Sequence, residues 1–490
     1  MVAATIAHHL EAALDRHAPA GLFFQESTAL DVARCVLSQP PLKIPAPPVD
    51  GAARSLTPGQ LSLWLLHHMA PAEDPYHIAT TIRITGAVDR DAMSAAVDRL
   101  VARHAALRTT FIDGPRQRVN AHALAPLTVV DAAGWSDERL DAAMIAVIDE
   151  VMDFSRGPLA RFALYALAPE SHVLLIVAHH IICDGWSMEI LQRDFARFYA
   201  DARLGLPPPS PAASMLAYQR WQEERLRTAD AEGQLSYWMR RLQPLCQLPI
   251  PPGTSGSRLA ARRPVVVSQA QAARVTQLAR RMAVQPFVFL AAVLQAALYH
   301  VTSQTDIVFG IDVANRPHAW MRGIVGMIAN QLALRGQVSP EASFGKMVTE
   351  LHALMADARR NQDAPFSWVV SAMNPPRHFG RNPLFQLMFA YRNRELPVQE
   401  VDGALMRPGE ITSARPKFDV TLALTHDGAA FSGFWEFNPA AVDLEWAGRL
   451  SDAFGVILDR AADAPSSRLC DLLGAPGAIV HDTCRASLQG

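Results

Sequence analysis

Two adjacent histidines followed by an aspartate and a glycine are the densest group of potentially reactive side chains in the chain. They lie directly after an apolar run, in the segment His179-His180-Ile181-Ile182-Cys183-Asp184-Gly185. An imidazole near its ordinary pKa can accept a proton at neutral pH, so each histidine is a candidate general base. Neighbouring side chains of extended backbone point to opposite sides, so the two rings do not share one ligand. We therefore expect one histidine to face a substrate and the other to lie in the interior.

The residues on either side predict the elements that position this segment. The run from His172 to Ala178 is almost continuously apolar, which is typical of a strand covered on both faces. After Gly185 the spacing of the apolar residues predicts a helix, with Ser187 as its N-cap and Glu189 in its first turn. The histidines are therefore expected in a loop between a buried strand and a helix.

Asp184 and Gly185 have different expected roles. A carboxylate so close to the end of a buried strand is itself expected to be buried, and it then needs a cationic partner to stay charged. Gly185 permits a sharp turn or the close approach of a substrate. Cys183 is expected to pack as a small apolar side chain.

The segment His179-His180-x-x-x-Asp184-Gly185 resembles the HHxxxDG signature of the chloramphenicol acetyltransferase-like superfamily, which includes the condensation domains of nonribosomal peptide synthetases. Further segments resemble the conserved blocks of condensation domains in the same order, from about Leu56 to about Leu472: Leu56–Trp64, Arg103–Phe111, Tyr218 with Trp221, Ile324–Gln331, Asn361–Phe366 and Arg381–Gln386. Four positions depart from the usual residues: Ser62 replaces an Arg, Ala105 a Glu, Ala217 an acidic residue and Ser367 a Glu. The order of the blocks favours a condensation domain over other members of the superfamily.

The resemblance implies an α/β (α+β) fold of two chloramphenicol acetyltransferase-like lobes in a V-shaped pseudo-dimer with a central tunnel. The expected boundaries are residues 54–230 for the N-terminal lobe with the catalytic loop and 235–470 for the C-terminal lobe. A small docking domain (1–39), a Pro-rich linker (40–53) and a tail (471–490) complete the chain. The docking domain rests on two helical patterns, Ile6–His17 and Thr28–Leu37, ahead of a proline-rich stretch that is expected to be stiff.

The resemblance also implies roles for individual residues. His180 is the expected catalytic residue, and His179, Asp184 and Gly185 are expected to support the loop. In the family an Arg is paired with the motif Asp, and Arg108 is the candidate for that pairing here. The chain is expected to bind no metal and no cofactor of its own, because a partner carrier protein delivers the phosphopantetheine arm.

The implied activity is acyl transfer from a carrier-bound thioester to an amine or a hydroxyl. With no other catalytic domain expected in the sequence, the protein should act in trans, with a carrier docking through residues 1–50 and the acceptor either free or carrier-bound. Freestanding members often release a finished chain, so chain release is the favoured outcome. Two alternatives stay open: a CoA-dependent acyltransferase of the same superfamily and a non-catalytic, condensation-like recruiting module. A second pair, His67-His68, resembles a motif of condensation domains that also epimerise, but the Gly-Asp of that motif is missing, which argues against an epimerase.

Composition excludes several other classes. Apolar residues make up 50% of the chain, charged residues 19%, and the formal net charge is −2, so a large core is available and no basic surface indicates nucleic acid. The apolar stretch Phe287–Val301 is too short for a membrane span and predicts a buried helix. The N-terminus shows no secretory signal, and five scattered cysteines without a CxxC pair indicate reduced thiols. A monomeric, cytoplasmic protein is expected.

Overall fold

The apolar run at 172–178 forms a strand in which every residue from His172 to His179 is buried. A strand covered on both faces requires such a continuous apolar sequence, which confirms the expectation. The strand belongs to a computed structural model that describes residues 10, 16, 28–38, 52–112, 114–123, 125–257, 259–376, 381–393 and 397–473. The expected docking domain, linker and tail therefore lie largely outside the described residues.

The described chain alternates strands and helices, as expected for an α/β fold. The strands are β1 (Arg54–Ser55), β2 (His77–Thr85), β3 (Thr109–Ile112), β4 (Arg116–Val119), β5 (Leu127–Asp131), β6 (Ala160–Ala168), β7 (Ser171–His179), β8 (Ala261–Val267), β9 (Asp306–Val313), β10 (Asn330–Gln337), β11 (Leu387–Asn393), β12 (Gln399–Val401), β13 (Ala404–Ile411), β14 (Val420–His426) and β15 (Phe431–Phe437). The helices are α1 (Ala29–Ser38), α2 (Pro58–Met69), α3 (Arg90–Arg103), α4 (Asp137–Asp149), α5 (Gly185–Arg203), α6 (Met215–Arg225), α7 (Ala229–Leu242), α8 (Gln269–Arg281), α9 (Pro286–Thr302), α10 (Phe344–Arg360), α11 (Phe366–Met373), α12 (Leu444–Asp463) and α13 (Leu469–Leu473).

These elements form two compact units. The first unit comprises Met1–Thr228, Ala314–Ala329 and Leu396–Ser413, and the second comprises the remaining segments. The expected lobes differ from these units, because the C-terminal lobe was expected to contain residues 235–470 without interruption. Two segments of that range instead return to the first unit, where they make long-range contacts that no local pattern reveals.

The first unit is built on a six-stranded mixed sheet in the order β12-β13-β2-β7-β6-β5. Strand β7 lies in its middle and pairs antiparallel with both β2 and β6. The returning segment adds β13 to the other edge of β2 in antiparallel register. Helices α3, α4 and α5 contribute buried apolar side chains to the same core as these strands. The central strand is thus fixed on both sides, and its C-terminal end carries the histidine pair.

The second unit has its own six-stranded mixed sheet, in the order β10-β9-β11-β14-β15-β8, and a separate core. Helix α9 is the most buried part of that core, with every residue from Phe287 to Leu298 buried. This confirms the buried helix expected there. Among the described residues, no single helix combines the length and the apolar composition needed to cross a membrane, and α8 and α9 meet that test only together, as a pair bent by 106°.

Helix α1 confirms the second of the two N-terminal helical patterns. The first pattern, Ile6–His17, lies outside the described residues except for Leu10 and Arg16.

Candidate active site

The histidine pair lies where β7 ends, and the two rings have different surroundings. His179 is fully buried, whereas His180 is half-buried. Between His179 and Gly185, only His180 and Gly185 are not buried. This is the division of roles expected from the alternation of side chains along a strand. Of the two histidines, only His180 is partly exposed.

Asp184 begins helix α5 as its N-cap. Its Oδ1 accepts hydrogen bonds from the Ser187 N–H at 2.9 Å and from the Ser187 hydroxyl at 2.7 Å. Ser187 was the expected cap, and the structure corrects this: Ser187 lies inside the first turn. A carboxylate can accept several N–H groups at a helix N-terminus, where the helix dipole also favours negative charge.

A bidentate ion pair neutralises the buried Asp184. Arg316 donates from one guanidinium nitrogen to Oδ2 at 2.9 Å and from the other to Oδ1 at 3.0 Å. Both side chains are almost completely buried. The backbone N–H groups of Ile328 and Ala329 donate to Oδ2 at 3.1 and 2.9 Å. Burial opposes ionisation, but the charge and hydrogen bonds of Arg316 outweigh it and lower the pKa of Asp184.

The expected pairing of Asp184 with Arg108 is therefore wrong. The Arg108 guanidinium donates to main-chain carbonyls, those of Val101 at 3.1 Å, Ala121 at 3.3 Å and Asn120. Arg108 joins the end of α3 to the segment after β4 and does not contact the loop. The buried carboxylate did need a cation, as expected, but that cation comes from the returning segment 314–329.

A second buried carboxylate, Asp74, contacts the other side of the loop. Its Oδ2 lies 2.9 Å from His179 Nε2 and 2.7 Å from His67 Nδ1. All three residues are buried. Burial opposes ionisation of Asp74, but the hydrogen bonds of His179 and His67 outweigh it and lower the pKa of this carboxyl. Asp74 is thus a carboxylate that accepts a hydrogen bond from each ring.

The hydrogen bonds of His179 define which ring nitrogen carries the proton. The Ile181 N–H donates to Nδ1 at 3.0 Å, so Nδ1 must present its lone pair. The proton of the neutral ring then lies on Nε2 and points to Asp74. His179 is consequently a neutral structural histidine rather than a base.

By residue type, His67, Asp74 and His179 could also hold a metal ion, because their donor atoms lie within 4.8 Å of one another. The Ile181 N–H argues against it. It occupies the lone pair of Nδ1, so a metal on Nε2 would require an imidazole without any proton. The arrangement fits a hydrogen-bond network.

The backbone of the loop is fixed by two further contacts. The His180 N–H donates to the Tyr76 carbonyl at 2.7 Å, and Gln60 Nε2 donates to the Ile181 carbonyl at 3.3 Å. Gln60 comes from the first conserved block, on helix α2, where its side chain also completes a capping box with Thr57. The first block therefore contributes directly to the position of the loop.

His67 and Asp74 are functional candidates that the sequence interpretation missed. The signal was the His67-His68 pair itself, followed by an acidic residue at position 74. Comparison of the pair with an epimerase motif gives no indication of a structural role beside His179. His68 has a different position: it is exposed, and its ring lies 3.9 Å from that of Trp64, centroid to centroid, at a tilt of 31°.

The last two conserved blocks make contacts inside the second unit. The Asn361 carbonyl accepts from Trp238 Nε1 at 2.8 Å, and Gln386 Oε1 accepts from the Leu248 N–H at 3.0 Å. Arg381 Nε lies 3.1 Å from Oδ2 of the buried Asp419.

Cys183, in the first unit, is buried, and burial raises the pKa of its thiol, which fits the expected packing role.

Comparison with known proteins agrees with this organisation. Phosphinothricin tripeptide synthetase PhsC of Streptomyces viridochromogenes is 30% identical over 448 residues, an alignment that covers 88% of this chain and 41% of PhsC. The chain thus spans less than two thirds of that relative.

Two solved structures share the fold. A complex of the X-domain with OxyB from teicoplanin biosynthesis matches with a TM-score of 0.74 at 24% identity, covering 88% of this chain and 99% of the X-domain. A variant of the starter condensation domain of rhizomide synthetase RzmA, solved with C8-CoA, matches with a TM-score of 0.74 at 21% identity and covers 85% and 96%. The profile of the condensation-domain family matches residues 53–476, most of the chain. This protein therefore belongs to the condensation-domain family of nonribosomal peptide synthetases.

Proposed function

We propose that this protein is a condensation enzyme that transfers an acyl chain from a phosphopantetheine thioester to an amine or a hydroxyl, with His180 as its catalytic residue. One observation carries the proposal. His180 is the half-buried imidazole of a loop whose other charged and imidazole side chains, His179 and Asp184, are fully buried and paired. Such a loop keeps one potential base accessible in a fixed position.

The proposed reaction balances without a cofactor. The acceptor N–H or O–H attacks the thioester carbonyl, a C–N or C–O bond forms, and the C–S bond breaks. His180 accepts the proton of the acceptor, and the proton leaves with the thiolate as the free thiol of the carrier arm. Holding the two substrates together can supply on the order of 7 to 11 kcal/mol of the barrier, and general-base catalysis contributes roughly 10²- to 10⁴-fold.

The donor in this proposal is a carrier protein, and the protein acts in trans in the cytoplasm as a monomer. Residues 1–50 are proposed to dock the carrier. A tethered partner raises the effective concentration of its thioester without new contacts at the active site. Chain release onto a free amine or alcohol is the favoured outcome, with a carrier-bound acceptor as the alternative.

A second candidate function is recruitment of a partner enzyme without catalysis. The solved complex of the teicoplanin X-domain with OxyB favours it, since that domain shares this fold. The accessible His180 argues for catalysis, because degenerate recruiting domains generally lose the second histidine of the motif. A CoA thioester as donor is a third possibility, and the rhizomide starter domain solved with C8-CoA gives a reason to test it.

The decisive experiment supplies purified protein with an acylated carrier, an acyl-CoA or a small acyl thioester, together with a panel of amines and alcohols. We expect turnover with the carrier, and a fall of roughly 10²-fold or more in His180→Ala with the melting temperature retained. His122→Ala is the matched control, because His122 is an exposed histidine of the same unit. Deletion of residues 1–50 should reduce turnover with the carrier but not with a saturating small thioester.

Each alternative has its own outcome in this assay. Turnover of acyl-CoA without any carrier indicates a CoA-dependent acyltransferase. No turnover with any donor, together with capture of a partner enzyme, indicates a recruiting module. Full activity of His180→Ala refutes the assignment of His180.

A further inference from the structure

Asp74 is linked to both histidines of the catalytic loop, to His179 by a direct hydrogen bond and to His180 through Tyr76. One oxygen of its carboxylate accepts from His179 and His67, and the other accepts from the Tyr76 N–H at 2.9 Å. The Tyr76 carbonyl in turn accepts the His180 N–H. We infer that Asp74 is a positioning residue for the proposed reaction: it keeps the His179 proton on Nε2 and fixes the backbone that carries the His180 ring. The inference rests on the proposed function of His180.

The first route acts through the ring of His179. With Nδ1 accepting from the Ile181 N–H, the Nε2 proton needs an acceptor inside the core, because a buried donor without one costs free energy. Asp74 Oδ2 is that acceptor at 2.9 Å. A ring with the proton on Nδ1 would instead oppose the Ile181 N–H and displace the start of the loop. The carboxylate therefore selects the tautomer that fits the loop.

The second route acts through the backbone. Asp74 lies just before β2, and its Oδ1 accepts from Tyr76 within the same turn. Tyr76 then accepts from His180, which extends the antiparallel pairing of β2 with β7 beyond the pair His77 and His179. The turn that Asp74 organises is thus the same turn to which the His180 backbone is attached.

His67 completes the coordination of the carboxylate from helix α2. Its ring stacks on Phe154 with centroids 3.8 Å apart and planes 6° apart, which fixes the orientation of Nδ1 toward Asp74. Phe154 also contacts His179 edge-on at 4.6 Å. Both oxygens of Asp74 are therefore used, and no neutral side chain of the same size supplies the same pair of acceptors.

Asp74→Asn is the informative variant because it is isosteric. One of the two acceptor oxygens becomes an NH₂ group, so either the two histidines or the Tyr76 N–H then faces a donor. A displacement of about 1 Å at the catalytic group can cost on the order of 10²-fold in rate. We expect kcat to fall by that order, with little change in KM for the acceptor.

Asp194→Asn is the matched control. Asp194 is also buried in the first unit, and its Oδ2 accepts from His104 Nε2 at 3.0 Å, but it lies in the third turn of α5, away from the loop. We expect a comparable loss of melting temperature and a kcat within about twofold of the unsubstituted protein. The difference between the two variants separates positioning from general loss of stability.

A nuclear magnetic resonance measurement tests the tautomer independently of turnover. In protein labelled with ¹⁵N-histidine, the His179 signals, identified by their loss in His179→Asn, should show one protonated Nε2 and one unprotonated Nδ1. Asp74→Asn should shift both nitrogens toward a mixture, and Asp194→Asn should not. This measurement on the unsubstituted protein decides the tautomer even where Asp74→Asn does not fold.

Two results overturn the inference: a His179 proton on Nδ1 in the unsubstituted protein, or an Asp74→Asn variant with the kcat of Asp194→Asn. Failure of the proposed function gives a different result, since the unsubstituted protein then shows no turnover with any donor while the Nε2 tautomer persists.

Discussion

Removal of the Arg316 guanidinium is expected to destabilise the first unit strongly. Breaking a buried ion pair by removing one partner typically costs roughly 3 to 5 kcal/mol, because the other charge stays buried without compensation. Four neutral donors would remain on Asp184: the Ser187 N–H and hydroxyl and the N–H groups of Ile328 and Ala329. Because these donors still solvate the carboxylate, we expect Arg316→Ala to cost about 3 kcal/mol, the lower end of that range.

The prediction can be measured by thermal and urea unfolding. For a unit of this size, about 3 kcal/mol corresponds to a fall of roughly 6 to 12 °C in melting temperature. Arg203→Ala is the control, since Arg203 pairs with Asp89 and Asp402 on the surface, with all three side chains more than a third exposed. Water screens the attraction of such exposed pairs, so the control should change little.

A double-mutant cycle identifies the partner. The double variant of Asp184→Asn and Arg316→Met should be destabilised by less than the sum of the two single changes, because no buried charge is then left unpaired. Asp184→Asn combined with Arg108→Ala should be additive, since Arg108 does not contact Asp184. An unchanged melting temperature in Arg316→Ala, or coupling to Arg108 in place of Arg316, would refute this account of the loop.

Three further predictions concern pH and packing. The pKa values of Asp74 and Asp184 lie below the ordinary 3.8 in the folded protein, so their contribution to stability is present above about pH 4 and is lost as the pH falls further. The urea midpoint of Asp74→Asn should therefore depend less on pH between about 5 and 3 than that of the unsubstituted protein. The same pH dependence in both proteins would contradict this. Burial, only partly opposed by Arg381, raises the pKa of Asp419. The ionised Asp419 carboxylate therefore destabilises the folded protein near neutral pH, and Asp419→Asn should stabilise it there. In β9, a methyl group on Gly310 would meet the Phe385 ring at 2.3 Å, so Gly310→Ala should destabilise the protein by roughly 1 to 3 kcal/mol. Gly455 lies on helix α12 with open space beside it, so Gly455→Ala should stabilise the protein by about 0.5 to 1 kcal/mol. Equal urea midpoints for these two variants would rule out the predicted clash.

Local sequence was sufficient to predict the buried strand, the helix after Gly185 and the opposite environments of the two histidines. These features depend on side-chain alternation and apolar periodicity, which act over a few residues. The same reasoning predicted that Asp184 needs a cation. It did not identify Ser187 correctly, because both Asp184 and Ser187 are good N-cap residues and only the backbone path distinguishes them.

The partners of the loop could not be predicted, because they are distant in the chain. Arg316 lies 132 residues after Asp184, and Asp74 lies 105 residues before His179. Arg108 was an equally plausible cation in the sequence, since charge alone does not specify a neighbour. Only the sheet register and the return of residues 314–329 to the first unit bring these groups together.

The three-part composition of the first unit has a consequence for how the protein can be made and divided. A ribosome must synthesise the chain as far as Arg316 before the buried Asp184 can be neutralised, and as far as Ile411 before β2 gains its second neighbour. Until then the nascent N-terminal half exposes a hydrogen-bonding strand edge, a surface that promotes aggregation. Fragment exchange between related proteins should accordingly transfer residues 314–329 and 397–413 together with the N-terminal half. A cut near residue 228 separates Asp184 from Arg316 and strand β2 from β13.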